Sequence, residues 1–185
     1  AAMCYDAGIE VTSLPGPAAC ITALTLSGLS TRRFAFEAFL PPDKKERKAI
    51  LEELKNETRT IILYEAPHHL VGTLQELYQA LGNRRMTLCR ELTKKHETAF
   101  RTTIEELIAF YKDQKPLGEC VLVIEGRSRK EMEQESQESW RDISIEEHMA
   151  IYENQGIARK EAMKMVAKDR GVTKRDIYQA LLLQK

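Results

Sequence analysis

The sequence predicts an α/β layered domain followed by a small helical appendage. Three observations carry this. Short apolar runs bounded by turn residues alternate with amphipathic stretches through residue 126. At residue 127 the composition shifts to Glu, Gln, Ser, Arg and Lys. Beyond that shift come three short helical patterns, punctuated by Gly156 and Gly171. A chain of 185 residues accommodates one medium domain with such an appendage.

Taken in order, Ala1–Gly8 reads as the last turns of a helix closed by glycine. Ile9–Leu14 reads as a short strand ending at Pro15-Gly16-Pro17, and Ala18–Leu29 as an Ala/Leu/Ile-rich helix stopped by Gly28. Phe34–Phe39 alternates aromatic with small or charged residues, as a half-buried strand does, and suits an antiparallel edge. Asp43 can cap a helix running to about Glu57. Thr60–Tyr64 is a continuous apolar strand. Pro67–Leu81 is an amphipathic helix with Leu70, Leu74, Leu77 and Leu81 on one stripe. Met86–Arg90 is a strand, about Thr103–Lys112 a helix, and Gly118–Glu125 a last buried strand. Residues 1–126 therefore form the α/β domain and 127–142 a linker. Residues 143–185 form a three-helix tail over Ser144–Asn154, Ala158–Asp169 and Thr173–Leu183, with Ser144 and Thr173 as caps.

Composition excludes several classes of function. Lys plus Arg equals Asp plus Glu at 28 each, so no global field draws the chain to nucleic acid or membrane. No apolar run approaches the ~20 residues that cross a bilayer, and no signal-peptide pattern is present. The four cysteines are scattered without CxxC spacing or a nearby histidine ligand. They read as small core residues of a reduced, cytoplasmic protein without a metal site.

In open α/β sheets, ligands bind where strand ends, loops and helix N-termini converge. The strand ends here are SLPGPAA, YEAPHH, RELTKKHE and, at the entrance to the last strand, GEC. Each has a plain structural alternative. Pro15-Gly16-Pro17 is either a tight turn into a helix or a place where backbone approaches a ligand. Glu65 either caps a helix or accepts a proton or a ribose hydroxyl. Arg90 and Glu91 are either an ion pair or part of a site. The i, i+1 spacing of His68 and His69 argues against a metal pair.

Assembled in order, SLPGPAACITALTLSGLSTRRFAFEAFLPP, RTIILYEAPHHL, CRELTKKHE and GECVLVIEG resemble the tetrapyrrole methylase superfamily. Within it, the chain is most similar to the branch that methylates the 2′-hydroxyl of a cytidine in 16S ribosomal RNA. The resemblance covers residues 1 to about 126, and the tail resembles the helix-turn-helix-like extension of many members. It implies the C-terminal α/β domain of a two-domain methyltransferase. It also implies an N-terminal domain outside this sequence, about half of an S-adenosylmethionine site, and a chain inactive alone. Homodimerisation and small-subunit ribosomal RNA as partner are implied in the same way.

Carried onto this sequence, Pro15, Gly16, Pro17, Ala18 and Ala19 would line the cofactor through backbone groups. Tyr64, Leu92, Gly118 and Glu119 would form the adenosine side and cleft floor. Glu65, Arg90, Glu91 and Lys94 would be the catalytic set, with Lys95 and His96 beside Lys94 facing RNA. Ala18 stands where many relatives carry Ser, and His69 where Arg is common, which removes any contact those side chains would make.

The chemistry agrees with that implication. A 2′-hydroxyl is a poor nucleophile near neutral pH, and displacement at a sulfonium methyl needs in-line alignment, so positioning supplies much of the barrier lowering. Glu65, Glu91 and Lys94 are the candidate bases, a role that adds ~10²–10⁴-fold. The tail's Lys160, Lys164, Lys168, Lys174 and Arg175 are either a solvated surface or phosphate contacts. Two other readings compete: methylation of a tetrapyrrole or corrin precursor, and a nucleic-acid-binding regulator whose α/β part dimerises. The linker and basic tail count against the first. YEAPHH and RELTKKHE are left unexplained by the second.

Overall fold

The computed structural model describes residues 1–183, which divide into two compact units, Ala1–Gly126 and Arg127 onward. The first unit begins with α1 (Ala2–Asp6) and α2 (Ala19–Ser27). It continues through β1 (Phe34–Phe39), α3 (Lys44–Leu54), β2 (Thr60–Glu65), α4 (Leu70–Leu81), β3 (Arg85–Arg90), β4 (Thr98–Thr103), α5 (Ile104–Phe110) and β5 (Cys120–Ile124). The strands form one sheet in the order β1-β2-β5-β3-β4. β1 runs parallel to β2, and β5 runs antiparallel to both β2 and β3. β1, β2 and β3 therefore share one direction, and their carboxyl ends lie at one edge of the sheet with the starts of β4 and β5.

Period-2 burial divides the sheet into two faces. Ile61, Leu63, Met86, Leu88, Leu122 and Ile124 pack with Leu70, Leu74 and Leu77 of α4, Leu51 and Leu54 of α3, and Ile104 and Leu107 of α5. On the other face Ile62, Cys89, Val121 and Val123 meet Ala23 and Leu24 of α2. Caps hold the helix starts: Asp43 accepts from Lys45 N and Glu46 N at 3.0 and 2.9 Å, and Thr103 with Glu106 makes a capping box on α5.

In this unit three expectations change and one strand is added. Ile9–Leu14 forms no strand: among the described residues no strand of the sheet pairs with it, and Leu14 is 87 % exposed. β1 is an edge strand, yet parallel to its neighbour rather than antiparallel. β4 is the added strand, an exposed, Thr-rich edge strand without apolar alternation, whose β-branched residues are its one sequence signal. Pro67–His69 form a turn, and α4 starts at Leu70.

A bulge between Phe36 and Ala38 shapes β1. Phe36 is in register with Ile62 and Phe39 with Tyr64, because Glu37 is the extra residue and Ala38 takes φ +53°. Phe34, Phe36 and Phe39 thereby share the α2 face, and Phe36 and Phe39 meet the Tyr64 ring edge-on at 5.0 and 5.7 Å.

In the second unit, residues 127–142, read as a linker, carry α6 (Arg129–Ser139), capped by Ser128. α7 (Ile145–Glu153), α8 (Arg159–Asp169) and α9 (Lys174–Leu183) follow. Their core is Met149, Ala162, Val166, Ala167 and Ile177. Ser144 and Glu147 form a capping box on α7, and Thr173 and Asp176 exchange the equivalent bonds at the start of α9.

Candidate active site at the sheet edge

Where β1 and β2 end and β5 begins, a cleft of about 270 Å³ opens between Ala19, Phe39, Tyr64, Glu65, Pro67 and Cys120. Its walls are mostly apolar. Tyr64 ties the cleft to α2, since Cys20 N donates to Tyr64 Oη at 3.1 Å. Burial first, and the Cys20 thiol second, push the Tyr64 hydroxyl's pKa above its ordinary value against the opposing Cys20 N–H, so it stays a neutral phenol.

Glu65 is only 7 % exposed. Its Oε1 accepts from Ala66 N at 2.8 Å and its Oε2 from Thr73 Oγ1 at 2.5 Å. Arg47 Nη2 donates in turn to Thr73 Oγ1 at 2.8 Å, and Arg47 Nε to Glu76 Oε2 at 2.6 Å. This relay locks α3 and α4 onto the end of β2 and fixes the Glu65 carboxylate at the cleft. Sequence reading missed Thr73 and Arg47. The signal for Thr73 was present: it is the one polar residue on the Leu70, Leu74, Leu77 stripe.

Glu65 and Arg90 both pair with Cys120, from opposite sides. Strand spacing puts their Cα atoms roughly 10 Å apart with the Cys120 thiol between them. Burial, chiefly, raises that thiol to a pKa of about 11, so it is inert at neutral pH. Arg90 Nε donates to Leu117 O at 3.0 Å, fastening the segment that leads into β5.

RELTKKHE is the turn of the β3–β4 hairpin, and its backbone is strained: Glu91 has φ +51° and Thr93 φ +64°. Two carboxylates hold it. Glu91 Oε1 accepts from Glu119 N at 2.8 Å, and Glu97 Oε2 accepts from Thr93 N at 2.6 Å. Gly118 makes the first contact possible. It has φ +79°, and a Cβ there would lie 2.4 Å from Glu91 Oε1. Lys94 Nζ bridges Glu91 Oε1 at 3.4 Å and Glu119 Oε2 at 3.3 Å.

These contacts set protonation. The Glu119 N–H, chiefly, and Lys94 hold the Glu91 carboxyl below its usual range. Glu119 and then Glu91 raise the Lys94 ammonium above its ordinary value. Glu91 is thus a weakened base, and Lys94 stays a cation at neutral pH. Of the three candidate bases, Glu65 alone lines the cleft.

The structure thus brings Ala19, Tyr64, Glu65 and Glu119 to the cleft, and Arg90, Glu91, Lys94 and Gly118 to the clasp beside it. Leu92 packs into the α2-face core. Pro15, Gly16, Pro17 and Ala18 form an exposed approach to α2 and do not line the cleft. Gly16 has no positive φ and nothing within 4 Å of an added Cβ, so the local fold does not require glycine there. Among the described residues, no three His, Cys, Asp or Glu side chains gather as metal ligands. No helix among them is long and apolar enough to cross a membrane.

A mixed sheet layered by helices, with a polar clasp and an apolar cleft at the shared strand ends, is the architecture of a small-ligand α/β domain. The chain belongs to the tetrapyrrole (corrin/porphyrin) methylases, whose family pattern matches residues 2–108. It is 44 % identical over 92 % of its length to ribosomal RNA small subunit methyltransferase I of Halalkalibacterium halodurans, covering 58 % of that protein. To the protein of the same name from Bacillus subtilis it is 43 % identical over 95 % of its length, covering 60 %. The chain thus spans about three fifths of the relatives it matches. The methyltransferase CobJ shares the fold, with a TM-score of 0.51 and 16 % identity over 68 % of this chain and 54 % of that one.

Proposed function

We propose that this chain is part of an S-adenosylmethionine-dependent methyltransferase acting on the 2′-hydroxyl of a cytidine in 16S ribosomal RNA. The carrying observation is the convergence of YEAPHH, RELTKKHE and GEC at one sheet edge, in a chain 43–44 % identical to small-subunit ribosomal RNA methyltransferases. The cleft is apolar enough for an adenosine and, at about 270 Å³, lies just under the ~300 Å³ at which ligand sites for a whole cofactor-sized molecule begin. That size fits part of S-adenosylmethionine, which when bound would supply an electrophilic methyl group.

In this reading Tyr64, Phe39, Pro67 and Ala19 wall the adenosine side, and Glu65 receives a ribose hydroxyl or its proton. The Glu91–Lys94–Glu119 clasp holds the Gly118-Glu119 backbone in place and presents a cation. Lys95 and His96, on the same turn, face the RNA. In the helical unit, Lys160, Lys164 and Lys168 recur every fourth residue along exposed positions of α8, a spacing suited to phosphate contact. A cytoplasmic homodimer belongs to the same reading.

The test is calorimetric titration of S-adenosylhomocysteine into the chain and into Ala66→Phe, which fills the cleft mouth. Saturable binding lost in Ala66→Phe supports the reading. A second arm follows labelled methyl from S-adenosylmethionine into small-subunit ribosomal RNA by the chain joined to the remaining part of a relative, with the product mapped by nuclease resistance. Absence of ligand binding together with absence of label would remove the methyltransferase reading.

A further inference from the structure

The helical unit has a cleft of its own, of about 410 Å³, bordered by Gln137, Trp140, Arg141 and Arg170 over a floor that includes Val172 and Ile177. The volume falls within the range of small-ligand sites. Its polar groups separate into those already engaged and those that are not. Arg170 is engaged: it donates to Ile143 O, to Ser144 O at 3.0 Å and to His148 Nδ1 at 3.2 Å, so it braces the wall. Asp176, also on the rim, is engaged with Thr173 N and Oγ1 at 2.8 and 2.6 Å.

Three groups remain. Trp140 stacks on His148 at 3.8 Å and 11°, which fixes the indole plane, while the rest of the ring borders the cleft. Gln137 lies over Gly171, where a Cβ would come within 2.4 Å of Gln137 Nε2, and its amide makes no hydrogen bond among the described residues. Arg141 has a side chain 76 % exposed, with its carboxylate partner Glu138 at 4.0 Å, so its guanidinium is close to free. A fixed aromatic plane, an uncommitted amide with donor and acceptor, and a free guanidinium over an apolar floor form a distinctive set. They match an unpaired base that stacks, offers its hydrogen-bonding edge and carries a phosphate.

We propose that this cleft takes one unpaired nucleobase of single-stranded RNA, with Trp140 as the stacking platform, Gln137 on the base edge and Arg141 on the adjoining phosphate. The proposal rests on the reading of the chain as an RNA-acting protein and gives the helical unit a part in choosing the strand. An unpaired base, rather than a duplex, is required because a paired base offers no free face for stacking.

Trp140 is the chain's only tryptophan, so its emission reports this cleft. A short oligoribonucleotide without self-complementarity is titrated into the chain, following tryptophan emission; anisotropy of the end-labelled oligomer is followed separately. The expected result is saturable quenching, absent with an abasic oligomer of the same length. Gln137→Ala and Arg141→Ala should each weaken binding, and Trp140→Ala should weaken it about tenfold. Arg141 is exposed, and circular dichroism of Arg141→Ala checks that the helices persist. Binding by anisotropy with unchanged emission, or binding unaffected by all three substitutions, overturns the cleft while leaving RNA recognition in place. No binding by either signal overturns the cleft too, and the methyl-transfer assay then decides separately whether RNA is the substrate.

Discussion

Glu65 carries two burdens at once, and the residue that lets it do so is Thr73. Removing the Thr73 hydroxyl leaves Glu65 Oε2 and the Arg47 guanidinium without their shared partner in a nearly dry setting. Thr73→Val keeps the shape, and should cost about 1–3 kcal/mol in urea denaturation. An unchanged midpoint would mean the relay adds nothing to stability. Glycines divide in the same way. Gly118→Ala forces a side chain into φ +79° and against Glu91, so about 1–2 kcal/mol should be lost, together with protection of the Glu119 amide from exchange. Gly16→Ala meets no obstacle and should leave stability within about 0.5 kcal/mol of the parent. If it nonetheless weakens S-adenosylhomocysteine, that glycine serves the ligand and not the fold.

Single elements were legible in the sequence to the extent that their burial is one-sided or complete. β2 and β5 announce themselves as unbroken apolar runs because both their faces are covered, and α4 does so through its leucine stripe. β4 was not legible, since its residues are largely exposed and its partner is a hairpin neighbour whose turn reads as a charge cluster. Ile9–Leu14 shows the opposite failure: the β-like composition is present, but no strand lies beside it. The candidate site was legible as a set of strand ends. The pairing of Glu91 with Glu119 N was not, because it joins residues 28 positions apart through a left-handed backbone that no residue type announces. The bulge in β1 yields a prediction at this scale. Ala38 holds φ +53° without being glycine, so Ala38→Gly should raise the melting temperature, the relieved strain of about 1–2 kcal/mol outweighing the ~0.5–1 kcal/mol entropy cost of glycine. A lowered melting temperature would show that the alanine methyl packs usefully.

At the scale of the whole molecule, one buried imidazole ties the helical unit to pH. In the helical unit His148 is fully buried, with Trp140, the residue after α6, stacked on it, Tyr152 of α7 behind it, and Asp169 and Arg170 from the end of α8 at its nitrogens. Nδ1 accepts from Arg170, while Nε2 lies 3.3 Å from Asp169 Oδ2 without the alignment of a hydrogen bond. Burial, and then Arg170, push the imidazole below its ordinary pKa of 6.5, and Asp169 only partly opposes them. The unfolded chain therefore takes up a proton that the folded one refuses. Stability of the helical unit should be level above about 6.5 and fall as pH drops below it toward the folded-state value. Thermal melts followed by helical dichroism across that interval check this, and His148→Gln should flatten the curve.

The strand order β1-β2-β5-β3-β4 has a consequence for how the chain assembles. β5 is the last strand in sequence but the middle one in space. Until it arrives, β1–β2 and β3–β4 are two separate ribbons, each presenting an apolar edge at β2 or β3 with unsatisfied backbone groups. A nascent chain passes through that state while residues up to 119 have emerged and Cys120–Ile124 have not. Insertion of those five residues closes both edges at once, so the sheet is completed from its centre, like a keystone set between two standing halves.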